Sequence, residues 1–182
     1  NYNGFATMAG ITIRPLLTLA ETGFQLPGDE AIEALITPKT KAIMICNPGN
    51  PTGTVYSRED IFRLGGLAKK HGLFVISDEV YREFIYEGRQ HTSILHVPGL
   101  EEHAVMVDSV SKRYSACGAR IGCIVSRNQT LMDATLKFAQ ARLCPPTVDQ
   151  LAALACVPLG DEFFRRLIAE YQARREIVYN AL

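Results

Sequence analysis

The sequence predicts an α/β protein, a three-layer α/β/α sandwich around a mainly parallel sheet. Two observations predict it. Short apolar runs at residues 41–46, 73–76, 104–107 and 121–125 alternate with stretches of helical period. Three of these runs end in polar residues: Asn50 after the first, Asp78 and Tyr81 after the second, Ser109 and Lys112 after the third. In a parallel sheet the ends of successive strands share one edge, and open α/β sheets bind their ligands there.

Taken in order, residues 11–15 alternate and suggest a short edge strand stopped by Pro15. Residues 29–36 suggest a helix capped by Asp29 and ended by Pro38. The run 41–46 reads as a parallel strand covered on both faces, followed by the turn-rich Asn47-Pro-Gly-Asn-Pro-Thr-Gly53. Ser57-x-x-Asp60 resembles a capping box and opens a helix to about Lys70, closed by Gly72. Its Gly65-Gly66 pair suggests close packing. Leu73 to Ile76 is the second strand, residues 82–103 a polar excursion, and Ala104 to Val107 the third strand. Ile121 to Val125 reads as a fourth buried strand. Asn128 caps a helix to about Arg142, Cys144-Pro-Pro146 breaks it, and Thr147 starts another to about Val157. Asp161 caps a long last helix with Phe164, Leu167, Ile168, Tyr171 and Ile177 on its inner stripe.

The 182 residues suffice for one domain with a real core. Lys+Arg and Asp+Glu number 19 each, a balance that argues against nucleic-acid partners and a polybasic membrane patch. No apolar run approaches bilayer length, and no signal peptide opens the sequence. The five cysteines are odd in number and lack Cys-x-x-Cys spacing, so they read as reduced thiols of a cytoplasmic protein. His71, His91, His96 and His103 show no metal-ligand spacing and read as surface residues. Walker and dinucleotide glycine patterns are absent. The opening Asn1-Tyr-Asn-Gly lacks a start methionine and the sequence closes inside a helical pattern, so a piece of a longer protein is expected.

The stretch from Asp108 to Gly122 holds most of the chemistry. Its hydroxyls Ser109, Ser111 and Ser115 and the fork of Arg120 suit a phosphate. Lys112 beside a phosphate is a candidate Schiff-base nucleophile if neighbouring charge or burial lowers its pKa. Each residue also has a plainer use. Asn50 stabilises the turn between its prolines, Asp78 caps a following helix, Tyr81 packs half-buried, and Arg120 pairs with a surface acid such as Asp108. Glu79 reads as a structural or solvated acid, and Cys117 as a small packing residue.

The joint pattern resembles the class I/II aminotransferases, fold-type-I enzymes that use pyridoxal 5′-phosphate (PLP). It comprises Asn47-Pro-x-Asn-Pro-Thr-Gly53, Asp78-Glu-Val-Tyr81, and Ser109-x-Ser-Lys112 followed by Arg120-Ile-Gly122. The resemblance runs nearly the whole chain and implies a PLP-transferase-like major domain over residues 1–182, truncated at both ends, its last helix leading toward a small domain. It implies that Lys112 joins the cofactor and moves the substrate α-proton, and that Asp78 pairs with the pyridinium nitrogen. Asn50 and Tyr81 would hydrogen-bond the ring 3′-oxygen, while Arg120, Ser109 and Ser111 would hold the phosphate. Tyr2, in Tyr2-Asn-Gly-Phe, would stack on the ring. The implied substrates are an α-amino acid and a 2-oxo acid, and the implied assembly is a homodimer of the full-length protein.

The resemblance places the family's phosphate loop upstream of Asn1 and its carboxylate-binding arginine beyond Leu182, and it implies two missing sheet strands near the start, one of them internal. Half a site and an incomplete sheet are therefore expected, with weak PLP binding and no turnover by residues 1–182 alone. Two alternatives stay open: a PLP-dependent C–S β-lyase, whose relatives often carry His where Tyr81 stands, and an aminotransferase-like sensor domain of a transcription regulator.

Overall fold

A computed structural model describes all residues, 1–182, and divides them into two compact units, 1–40 and 41–182. The first unit holds α1 (Tyr2–Met8) and α2 (Asp29–Glu33). The expected edge strand at 11–15 is absent: these residues are exposed and irregular, though Arg14 donates to the Leu35 carbonyl at 3.0 Å. A strand needs a partner ladder, and the first unit contains no other strand to supply one. In α2 the cap is Gly28 and Asp29 lies one residue inside, where its charge still complements the helix N-terminus.

The second unit is built on one sheet in the order β1 (Ala42–Cys46), β2 (Phe74–Asp78), β3 (Ala104–Ser109), β4 (Gly122–Val125). The first three strands are parallel and β4 returns antiparallel to β3. The sheet is thus mostly parallel and open, as expected. Side chains one row apart alternate in cover. Val75, Ser77, Ala104 and Met106 are buried, whereas Met44 in the intervening row is 43 % exposed. One face is therefore buried over β2 and β3 and the other only in part, where the sequence predicts cover on both.

β4 departs further. It is exposed along its whole length rather than buried. The reason is topological: a short return after β3 places it at the sheet edge, with no strand of this chain beyond it.

The core lies where α3 (Arg58–Lys70) and residues 94–100 meet the sheet, and it gathers Ile61, Leu64, Leu67, Ala68, Val75, Ile94, Val97, Leu100 and Ala104. The capping box of α3 is formed. Ser57 Oγ accepts from the Asp60 amide at 3.1 Å, and Asp60 Oδ2 accepts from the Ser57 amide at 3.2 Å. Gly72 follows the helix in the left-handed conformation, φ 63°, which glycine adopts without strain.

The Gly65-Gly66 pair divides in two. A Cβ at Gly65 would stand 2.6 Å from Val97 Cγ1, while a Cβ at Gly66 meets nothing within 4 Å. Gly65→Ala should therefore destabilise by about 1–3 kcal/mol through overpacking. Gly66→Ala should stabilise by about 0.5–1 kcal/mol through helix propensity alone. Urea denaturation of the two variants checks the opposite signs.

Three helices complete the unit: α5 (Gln129–Arg142), α6 (Thr147–Cys156) and α7 (Asp161–Ala181), the label α4 belonging to the short turn Val110–Arg113. Asn128 caps α5 as expected, accepting from the Leu131 amide at 2.8 Å. Asp161 is not the cap of α7; Gly160 is, and Asp161 occupies the first turn. None of the three helices buries a residue fully. Phe163 and Phe164 of α7 pack on Tyr114, and Tyr171 meets Phe84 edge-on at 5.2 Å. Ile177, assigned from its spacing to the inner stripe, is 70 % exposed. No helix is long and apolar enough to cross a membrane.

Candidate active site

The parallel register sets the site. Cys46 lies level with Asp78, and Asp78 with Val107. The ladder continues one residue past the strands, with the Asn47 amide donating to the Asp78 carbonyl at 3.0 Å and the Glu79 amide to the Val107 carbonyl at 2.9 Å. Three loops therefore leave the sheet at one edge, β3 running on to Ser109 past the level of Cys46 and Asp78, and each carries one of the sequence motifs.

The first loop is braced from inside. Asn47 is fully buried, and its Oδ1 accepts from the Tyr56 amide at 2.9 Å. The Gly49 amide donates to the Thr54 carbonyl at 2.8 Å, and Gly53 turns with φ 70°. The folded loop leaves Asn50 outward, where its Nδ2 donates to Tyr81 Oη at 2.8 Å. Lys112 Nζ stands 5.9 Å from the centroid of the same Tyr81 ring, within cation–π range. Asp78 ends β2 half-buried, and its Oδ1 accepts from the Val80 amide at 3.2 Å. A groove of about 450 Å³ opens beside Asn50 and Tyr81, with Phe84, Tyr86 and Arg175 on its far walls.

Ser109 closes β3 and caps α4, its Oγ accepting from the Ser111 amide at 3.2 Å. The Arg120 segment is held against it by a close backbone approach. A Cβ at Gly122 would lie 2.9 Å from the Asp108 carbonyl and 3.3 Å from Ser109 Cβ, so only glycine fits the register Ser109↔Gly122. The Arg120 guanidinium donates to the Cys117 carbonyl of its own turn at 2.9 Å, not to Asp108. Tyr2 belongs to the first unit, in α1.

Two acids are structural. Of the two readings of Glu79, structural or solvated, the structure bears out the first. Glu79 is fully buried and accepts from His91 Nε2 at 2.9 Å, Ser93 Oγ at 3.0 Å and the Ile94 amide at 3.0 Å. Burial pushes its carboxyl up, but the donors His91, Ile94 and Ser93 outweigh burial and hold it below its ordinary value. His91, read as a surface residue, is thereby a partner of a buried acid. Asp108 is also buried. It accepts from Arg113 Nη2 at 2.9 Å and from its neighbour's Ser109 amide at 2.8 Å, with Arg82 Nη2 3.2 Å away. Desolvation raises its carboxyl above the ordinary value despite these partners, and Glu79 and Asp78 add to that rise. The signal for Glu79 was period two. Val75, Ser77 and Glu79 continue one buried row, 0 %, 1 % and 0 % exposed.

A mostly parallel sheet that gathers a lysine, an acid and a phenol–amide pair at one edge is the architecture of the fold-type-I PLP transferases. The profile described as aminotransferase class I and II matches residues 1–182, and the chain belongs to that family, whose enzymes depend on PLP. It is 37 % identical over its whole length to the putative aminotransferase YugH of Bacillus subtilis, and spans 46 % of that protein. It is 34 % identical over 96 % of its length to an aspartate aminotransferase of Thermotoga maritima, spanning 45 % of it. Among solved structures, a single mutant of Thermus thermophilus aspartate aminotransferase superposes with a TM-score of 0.90 at 31 % identity, covering 99 % of this chain and 47 % of that one. The chain thus spans about half the length of the relatives it matches.

Proposed function

We propose that the full-length protein is a PLP-dependent aminotransferase that moves an amino group between an α-amino acid and a 2-oxo acid, as a cytoplasmic homodimer with residues 1–182 in its large domain. The observation that carries this reading is the Asn50 to Tyr81 hydrogen bond of 2.8 Å with Lys112 Nζ 5.9 Å from the same ring, at level strand ends. Apolar residues left exposed on α5 to α7, such as Phe138 at 79 % and Leu154 at 65 %, support cover by further protein.

The donor set suits the cofactor at each end: an acid for a protonated ring nitrogen, an amine for an aldehyde, and hydroxyls with an arginine for a phosphate. When bound, PLP supplies the electron sink that stabilises charge left at the substrate α-carbon. In this reading Lys112 would hold the cofactor at its aldehyde and would carry the substrate α-proton. Asp78 would keep the ring nitrogen protonated. Tyr81 Oη accepts from Asn50, which leaves its own O–H to donate to the ring 3′-oxygen. Ser109, Ser111 and Arg120 would anchor the phosphate.

Borohydride reduction of the full-length protein with PLP, followed by peptide mass mapping, should place a pyridoxyl group on Lys112. A label on a different lysine, or on none, would overturn the assignment.

A further inference from the structure

We propose that Asp108 is a positioning residue: one buried carboxylate that clamps the turn bearing Lys112 to the turn bearing Tyr81. Its Oδ1 accepts from the Ser109 amide, at the start of the lysine turn. Its Oδ2 accepts from Arg113, the residue after Lys112, at 2.9 Å. The same oxygen is 3.2 Å from a guanidinium nitrogen of Arg82, the residue after Tyr81. Glu83 closes the cluster, its Oε1 lying 3.3 Å from Arg113 and 3.7 Å from Arg82. Two carboxylates and two guanidinium groups thus join two loops separated by about thirty residues of chain. The inference rests on the proposed roles of Lys112 and Tyr81.

The cluster is poorly suited to a purely stabilising role. Ions removed from water lose hydration that their mutual attraction only partly returns, and well-packed apolar side chains would hold the fold as well. Apolar side chains would not fix direction. The bonds from Asp108 are directional and reach the residues next to the two functional side chains. They set the distance between lysine and phenol, whereas the parallel ladder sets only the level at which the loops leave the sheet.

Hydrogen exchange in the full-length protein, prepared without cofactor, tests the clamp. The Arg82 and Phe84 amides donate to Glu79 and Tyr81 carbonyls at 3.0 and 2.8 Å, and report on the first turn. The Tyr114 and Ser115 amides donate to Val110 and Lys112 carbonyls at 3.2 and 3.1 Å, and report on the second. Asp108→Asn should speed exchange about tenfold at both pairs and leave the amides of α3 within about twofold. Arg82→Met should loosen the first pair alone, because the partners of Arg82 are Glu83 of its own turn and Asp108; Arg113→Met, which also releases Glu83, should loosen both pairs. PLP titration followed by absorbance should show about tenfold weaker binding to Asp108→Asn.

Exchange in Asp108→Asn that is unchanged at either pair, or equally raised in α3, overturns the clamp. So does an Arg82→Met variant that loosens both pairs alike, or an Arg113→Met variant that leaves the second pair unchanged, and this comparison decides the matter if Asp108→Asn does not fold. The exchange readout needs no cofactor. A misplaced pyridoxyl label would sink the functional reading alone, and unchanged exchange with Lys112 labelled would sink the clamp alone.

Discussion

Asp78→Ala in the full-length protein is expected to lower kcat about 10- to 150-fold while weakening PLP binding far less. The role assigned to the carboxylate is electronic. A charge-assisted hydrogen bond is worth about 1.5–3 kcal/mol, and each 1.36 kcal/mol is about tenfold in rate. Anchoring of the cofactor rests on other groups: the covalent lysine, the hydroxyls of Ser109 and Ser111, and Arg120. Asp78 stands where the role requires, at the end of β2 and level with the end of β1 and with Val107 of β3. Steady-state kinetics and a PLP titration on the same preparation separate the two effects. A variant that keeps near-normal kcat, or one that loses PLP and activity in equal measure, would show that Asp78 does not act on the ring nitrogen.

Glu79→Ala should have the largest effect on stability, about 3–5 kcal/mol, because it strands a buried cluster of donors. His91 Nε2, Ser93 Oγ and the Ile94 amide all point at the removed carboxylate. The donors that hold Glu79 below its ordinary value also give a pH signature. A carboxyl depressed in the folded state contributes stability above its unfolded value, about 4.3, and that contribution is lost as pH falls through the folded value. Glu79→Gln removes the titrating group. The urea-midpoint gap between wild type and Glu79→Gln should therefore be widest near neutrality and narrow on acidification below about pH 4. A gap that stays constant with pH would refute the buried-carboxylate account.

The parallel strands and the edge where ligands gather were legible because each strand is a short apolar run with a polar end. The motif residues were legible as types: Asp78 ends β2, and Asn50, Tyr81 and Lys112 follow the ends of β1, β2 and β3. The helix caps at Ser57 and Asn128 were legible because a cap is a local bond between residues three apart. Asp29 and Asp161 misled by one position, since an acid in the first turn satisfies the helix dipole as an acid at the cap would. The exposure of β4 was not legible: a short apolar run does not say whether a further strand lies beside it. Nor were the partners of Asp108. They come from the loops after β2 and β3, and only the folded sheet brings Arg82 and Arg113 to one oxygen.

The strand order has a further consequence for how the chain is made. Each strand of the sheet pairs with the one that precedes it in sequence. Within this chain, no strand waits on the ribosome for a partner not yet translated. The stretch from β1 to the end of β3, roughly 70 residues, takes on the order of 4–14 s to emerge at 5–20 residues per second. Ladder formation is far faster than that. The three strand ends can therefore come level in the order of synthesis, so that the edge exists before the lysine turn that completes it has left the exit tunnel.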